Sequence, residues 1–338
     1  MLLSPQEERI VQSIIVGSEN DPHKPEFPPN NPKFPATPTY QIVVPGFSHV
    51  GLKDESQNIT GTHKDRMAWE IVVTYKEFLV AKKAGRIQQL PTLSILSSGS
   101  AALAVQTQLN KYGLPNLHVL MDVHTAPNII KNLKDIGCSL FLADLSSAPF
   151  DVKDILRLTN NIHGFDITSN EAYDPTVRFY DWLSYEIINN DADYIFVPFG
   201  TGQLYENIMN VIKKELRYKI NDPRFQGNKE KLHTTSVLGA TTTNPHSKAD
   251  KLYAPFLPFA HYSQQWIELY KSTGLTGVLS QVYDVQELYI DNAIKLAETQ
   301  HIPCEPSGIA GLGLLLQLQN SIPYDAKILI VNTGKTKW

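Results

Sequence analysis

Lys53-Asp-Glu-Ser-Gln-Asn-Ile-Thr-Gly-Thr-His-Lys64-Asp-Arg-Met-Ala-Trp69 is the stretch on which the reading of this chain turns. Asn58 to Gly61 favours a turn and delivers Lys64 to the start of a strongly apolar segment. Trp69, Ile71, Val72, Val73, Tyr75, Phe78, Leu79 and Val80 follow, with no proline and no glycine before Gly85, so the segment reads as a mostly buried helix. An ammonium is disfavoured at a helix N-terminus, which carries partial positive charge. Burial also lowers a lysine pKa. Both effects favour a neutral amine, the form that a Schiff-base lysine needs. On these grounds alone a surface lysine in a charged Lys-Asp-Arg turn is the reading to prefer.

Length and composition bound the rest. The 338 residues suit one large or two moderate domains, and 42% hydrophobic with 19% charged residues describes a soluble globular chain. The net charge of −4 and the lack of a basic run argue against nucleic acid as partner. No apolar run is long enough for a membrane span, and the N-terminus lacks the basic region and apolar core of a signal peptide. Two cysteines, Cys138 and Cys304, cannot build a disulfide framework and suggest a reducing, cytoplasmic setting; each reads as a small buried hydrophobe. The ten histidines show no metal-ligand spacing, so no metal is expected.

Residues 21–39 are a proline-rich connector that can form neither a helix nor a central strand. Strands are expected at 40–44 and 50–53. From residue 92 the pattern alternates: strand 92–96, helix 101–112, strand 118–123, helix 127–136, strand 139–143, helix 152–159. Pro127 near the start and Gly137 past the end of the second helix show the usual asymmetry. A helix at 180–188, a buried strand at 194–199 and a strand at 235–240 follow. Helices near Trp266, at 285–299 and at 309–319, and a last strand at 328–331, complete the chain. Such alternation argues for parallel sheets covered on both faces, an α/β class. No internal repeat is visible.

Two turns stand where ligands bind in such sheets. Ser97-Ser-Gly-Ser-Ala101 joins a strand to a helix and offers amides and hydroxyls to an anion, although an ordinary serine cap gives the same pattern. Phe199-Gly-Thr-Gly-Gln-Leu204 also joins strand to helix. It lacks the glycine–lysine pair of a Walker loop, and Tyr205 replaces the third glycine of a dinucleotide fingerprint.

Lys-Asp-Glu at 53–55, Asn-x-Thr-Gly at 58–61 and Lys-Asp-Arg at 64–66 together resemble the lysine segment of the fold-type II pyridoxal-phosphate enzymes. This is the superfamily of tryptophan synthase β, threonine synthase, cysteine synthase and serine/threonine dehydratase. The form is closest to threonine synthase, and Glu305-Pro-Ser-Gly-Ile-Ala-Gly-Leu312 resembles a further segment of that enzyme. Ile59 stands where proline is usual. His63 stands where threonine synthases usually carry phenylalanine, although tryptophan synthase β also has histidine there.

The resemblance spans about residues 38 to 336 and implies two parallel-sheet α/β domains with the cofactor, pyridoxal 5′-phosphate, in the cleft between them. The larger would take residues 1–90 and 186–338, the smaller 91–185. Lys64 would hold the cofactor. Ser97, Ser98 and Gly99 would bind the substrate carboxylate, and Ser100 takes the place of the family's asparagine at the pyridine 3′-oxygen. Gly200, Thr201, Gly202 and Gln203 would cradle the phosphate, with Gln203 a departure from a loop usually richer in glycine. Thr333, in Val331-Asn-Thr-Gly334, would offer a hydroxyl to the pyridine nitrogen. A neutral partner there favours elimination and replacement over transamination.

These implications lead to a cytoplasmic, homodimeric lyase or synthase acting on a small amino acid, threonine synthase-like first. A β-replacing or dehydratase enzyme of the cysteine synthase or serine dehydratase kind is second. A relative that binds the cofactor without catalysis is third, on the strength of Ser100 and Gln203. A threonine synthase also needs cations for a substrate phosphate. Arg66, Lys335 and Lys337 are the nearest in sequence, and none forms a clear clamp.

Overall fold

The computed structural model describes residues 34–145, 150–168, 179–216, 222–253 and 281–338. In chain order the elements begin with strands β1 (Thr39–Ile42) and β2 (His49–Asp54), helix α1 (Lys64–Lys83), strand β3 (Leu93–Leu96) and helix α2 (Ser100–Lys111). Strand β4 (His118–Asp122), helix α3 (Pro127–Asp135), strand β5 (Ser139–Ala143), helix α4 (Val152–Leu158), strand β6 (Phe165–Asp166) and helix α5 (Asp181–Ile188) come next. Strand β7 (Tyr194–Pro198), helices α6 (Gln203–Leu216) and α7 (Lys229–Thr234), strands β8 (Ser236–Thr241) and β9 (Gln281–Asp284), helices α8 (Glu287–Thr299) and α9 (Ala310–Gln317) and strand β10 (Lys327–Asn332) follow. The proline-rich connector up to residue 33 and the helix expected near Trp266 lie outside the described residues.

Two units result. Phe34, residues 64–179 and Trp338 make the first; residues 35–63 and 180–337 make the second. In the first, a four-stranded sheet runs in the order β5-β4-β3-β6, all parallel. β3 is buried at every position, as a central strand covered on both faces must be. β5, at the edge, is only partly buried. Pro127 starts α3, and Asp151 caps α4 with a reciprocal bond to Asp154, so local chemistry sets both helix starts.

The second unit carries a six-stranded sheet, β1-β2-β10-β7-β8-β9, parallel except where β1 pairs antiparallel with β2. Ile328 to Val331 of β10 and Ile195 to Val197 of β7 are buried almost completely, and α9 adds Leu312, Leu314 and Leu315 to the core formed with Phe196, Ile328 and Ile330. Both sheets match the α/β class read from the sequence.

The division of the chain departs from the one expected. Helix α1 belongs with the four-stranded sheet, because it packs along α2, and the boundary after residue 179 places α5 in the larger unit. Met67, Ala68, Ile71, Val72 and Tyr75 are all buried on α1, so the helix is part of a core and not a connector.

Candidate active site

The charged opening of the lysine segment braces the second unit. Lys53 Nζ donates to Thr37 O and to Glu186 Oε2, each at 2.6 Å. Asp54 Oδ1 accepts from Asn332 Nδ2 at 3.0 Å and Glu55 Oε2 from Asn58 Nδ2 at 2.7 Å. These side chains are buried, so each charge is tied to a partner, as burial requires.

Three of the sequence motifs meet in this unit through glycine. Gly61, Gly308 and Gly334 lie so close to one another's backbones that a side-chain carbon on any of them would overlap a carbonyl oxygen. Thr62 bridges to Gly334, Lys335 N donates to Gly61 O at 2.8 Å, and Glu305 N donates to Gly334 O at 3.1 Å. The turn after β10 is thereby locked. Thr333 N donates to Gly308 O at 3.0 Å, and Thr333 O accepts from His63 N at 3.1 Å and lies 3.3 Å from His63 Nδ1. The backbone of Thr333 is fixed while its hydroxyl takes no partner among the described residues. The His63 ring, in turn, lies tilted against Tyr180, with centroids 5.3 Å apart.

The loop after β7 is built as a cradle. Phe199 N donates to Ala240 O at 2.7 Å, which sends the Phe199 ring beneath the turn. Gly202 has φ +84° and a side-chain carbon there would come within 2.8 Å of that ring; one on Gly200 would come within 2.8 Å of Lys251 O. Only glycine fits either position. Gln203 is the buried first residue of α6, whose 14 residues direct their N-terminal amides and dipole at the turn. The donor set of Gly200, Thr201, Gly202 and Gln203 therefore suits a phosphate.

In the first unit Lys64 is the first residue of α1. Part of its side chain stays accessible, but its amine is surrounded by protein, and desolvation lowers its pKa from 10.5 to about 8. Arg66 is buried, with its guanidinium 4.7 Å from the centroid of the Phe34 ring, and is spent on packing.

Ser97, Ser98, Gly99 and Ser100 join β3 to α2. The expectation that both hydroxyls face outward holds only for Ser98, which is exposed. Ser97 is buried, and its Oγ accepts from Gly99 N at 3.0 Å, leaving its own proton to donate. Ser97 N donates to Leu120 O at 3.0 Å, so the amides left for an anion are those of Ser98 and the first turn of α2. Ser100 opens that helix and is largely buried. The indole of Trp338 rests on Gly99, a contact without any local sign in the sequence.

The two cysteines are not reactive thiols. Burial pushes Cys138 up to about 12 and Cys304 up to about 11. Among the described residues no cluster of three histidine, cysteine or acidic side chains could hold a metal, and no helix is long and apolar enough to cross a membrane.

Residues 36–334 match the family described as pyridoxal-phosphate dependent enzyme. The chain belongs to that family. Its fold agrees with solved structures of fold-type II pyridoxal-phosphate enzymes. It superposes on O-ureido-L-serine synthase with a TM-score of 0.62 at 18% identity, covering 89% of each chain. An O-acetylserine dependent cystathionine beta-synthase from Helicobacter pylori gives 0.63 at 13% identity, over 89% of this chain and 92% of the other. Maize serine racemase gives 0.60 at 17% identity, over 86% and 84%. No curated protein sequence matches the chain. The residues present fit the family's cofactor in kind: an amine of lowered pKa, a glycine cradle at a helix start, and a threonine hydroxyl with no partner among the described residues.

Proposed function

We propose that this pyridoxal-phosphate enzyme acts at the β-carbon of a small amino acid, by elimination or replacement. The observation that carries the catalytic part is Lys64, whose amine opens α1 with its pKa lowered to about 8 by burial. When bound, pyridoxal phosphate withdraws electrons from the Cα of an attached amino acid and so acidifies the Cα–H bond.

The chain's own residues supply the rest. Lys64 Nζ would hold the cofactor and then, released, take the proton from Cα, since a pKa near the working pH suits a general base. Gly200, Thr201, Gly202 and Gln203 would bind the phosphate through backbone donors. Thr333 Oγ1 would meet the pyridine nitrogen with a neutral partner. The Ser97 hydroxyl, the Ser98 amide and the first amides of α2 would hold the substrate carboxylate, with Gly99 completing the turn. Ser100 would stand in for a longer family side chain at the ring 3′-oxygen.

Action at Cβ is preferred to the γ-replacement of a threonine synthase for a structural reason. The Glu305–Leu312 resemblance is accounted for by packing, since Glu305 and Gly308 lock the turn at Gly334. Of the three cations nearest in sequence, Arg66 is engaged on Phe34 and Lys337 Nζ in a bond to Asn58 O at 2.9 Å, while Lys335 is exposed. The names of two structural neighbours, O-ureido-L-serine synthase and an O-acetylserine dependent cystathionine beta-synthase, support the same reading.

The test is to offer O-acetylserine, serine, threonine and phosphohomoserine separately to the holoenzyme and identify products. Turnover of O-acetylserine or serine with none of phosphohomoserine is the expected result. Threonine and phosphate from phosphohomoserine would restore the threonine synthase reading. A homodimer in the cytoplasm stays part of the proposal, with sedimentation of the holoenzyme as its check.

A further inference from the structure

We propose that the Lys251–Glu305 ion pair is a positioning device for the cofactor, tying the phosphate cradle at Gly200 to the turn that carries Thr333. The inference rests on the reading of Gly200–Gln203 as that cradle and of Thr333 as the partner of the ring nitrogen. Lys251 lies in a single helical turn, Asp250–Leu252, whose start has no side-chain cap. Its carbonyl oxygen would come within 2.8 Å of a side-chain carbon on Gly200, and Leu252 Cα within 3.6 Å. The backbone of Lys251 is thus a wall of the cradle. The same residue reaches the Glu305 segment twice. Lys251 N donates to Oγ of the buried Ser307 at 3.2 Å. Lys251 Nζ donates to Glu305 Oε2 at 2.5 Å, with Thr336 Oγ1 3.5 Å away.

Glu305 carries the connection onward. Its N–H donates to Gly334 O at 3.1 Å, and its carbonyl accepts from Gly308 N at 2.8 Å and Ile309 N at 3.1 Å. Gly308 O in turn accepts from Thr333 N at 3.0 Å. A continuous series of bonds therefore runs from the wall of the cradle, through Lys251 and Glu305, to the backbone of Thr333, all within the second unit.

The shape of the cofactor gives this series a use. The phosphate and the ring nitrogen of pyridoxal phosphate are joined by a largely rigid skeleton, so the two protein sites that receive them must keep a fixed separation. A cradle and a turn free to shift against one another would lose that match. The side chains of Lys251 and Glu305 are 30% and 22% exposed. A pair this open to solvent adds little to global stability, so the fold does not depend on it while the spacing of the two sites does. Lys251 and Glu305 are accordingly positioning residues, which act through the cradle and the turn and not on the reacting atoms.

The experiment measures dissociation constants of pyridoxal phosphate and of pyridoxal, which lacks the phosphate, by equilibrium dialysis. It compares wild type, Lys251→Met, Glu305→Gln, the double variant and Lys251→Arg, with urea unfolding as the control for folding. Each single variant should weaken pyridoxal phosphate about fivefold and leave pyridoxal within about twofold, because pyridoxal has no second end to match. The double variant should bind within about twofold of either single variant, since both remove one interaction. Lys251→Arg keeps the charge and should bind like wild type. The phosphorus-31 resonance of the bound cofactor should move in both single variants. Unchanged ratios of the two affinities, a stationary phosphorus signal, or a double variant whose loss is the product of the two single losses would overturn the positioning role. Tighter binding in Glu305→Gln would overturn it as well, by making the released ammonium a direct counter-ion of the phosphate. Should Lys251→Met not fold, Glu305→Gln, which keeps the length of the side chain, decides by the same ratio. A Thr201→Glu variant that binds pyridoxal phosphate as tightly as wild type would instead bring down the cradle reading beneath it.

Discussion

Replacing Lys64 by methionine isolates the energetic consequence of burying an amine at the start of α1. Its pKa falls from 10.5 to about 8 through desolvation. At 1.36 kcal/mol per pH unit, that difference corresponds to roughly 3 kcal/mol against the folded state. The sign follows from proton counting. Between pH 8 and 10.5 the unfolded lysine holds more proton than the folded one, so stability rises with pH across that window. Below pH 8 the full cost is present; above 10.5 it is gone. Methionine keeps an unbranched side chain, one atom shorter, and removes the charge. In cofactor-free protein the Lys64→Met variant should therefore be more stable at pH 7 by about 2–3 kcal/mol, and the gain should shrink to under about 1 kcal/mol by pH 10. Urea unfolding of both proteins at the two pH values, followed by near-ultraviolet circular dichroism, measures it. A variant no more stable at pH 7 would mean that the amine is solvated. A gain that does not change with pH would assign it to packing.

Two further changes address the other halves of the cofactor reading. Gly202 is unsuited to substitution, because a side chain there meets the Phe199 ring, whereas Thr201 is partly exposed. Thr201→Glu should lower pyridoxal phosphate affinity by about tenfold or more through repulsion at the cradle, with an unaltered circular dichroism spectrum, and unchanged affinity would place the phosphate elsewhere. Thr333→Val should leave stability within about 0.5 kcal/mol, since the hydroxyl bonds to no group among the described residues, and should reduce kcat more than cofactor affinity; a stability loss without a kcat effect would make the hydroxyl structural.

Much of the fold was legible because its central strands are uninterrupted apolar runs. Ile195–Val197 and Ile328–Val331 can only be buried on both faces, and their burial is near complete. β6 was missed, as two residues give no period to read, and Gln281–Asp284 is a short, partly buried edge strand without an apolar run. The placement of α1 failed for a different reason. Its apolar residues occupy nearly the whole circumference, so the pattern announces burial without saying which sheet is covered.

The candidate site divides the same way. Gly202, Gly61 and Gly334 were visible as glycines in strand-to-turn positions, and the close approaches explain why no other residue serves. What lies against them was not visible. Phe199 beneath Gly202 is an ordinary apolar residue in sequence, and Trp338 on Gly99 is a contact between residues far apart in the sequence that no local pattern encodes. The two serines of the carboxylate turn looked equivalent, yet burial commits Ser97 to its own turn and leaves Ser98 exposed.

The central claim is that Lys64 carries the cofactor. Purified protein is saturated with pyridoxal phosphate, reduced with borohydride, digested, and mapped by peptide mass. The expected result is a single pyridoxyl adduct on the peptide that contains Lys64, lost in Lys64→Met. An adduct on any other lysine, or none at all, would contradict it.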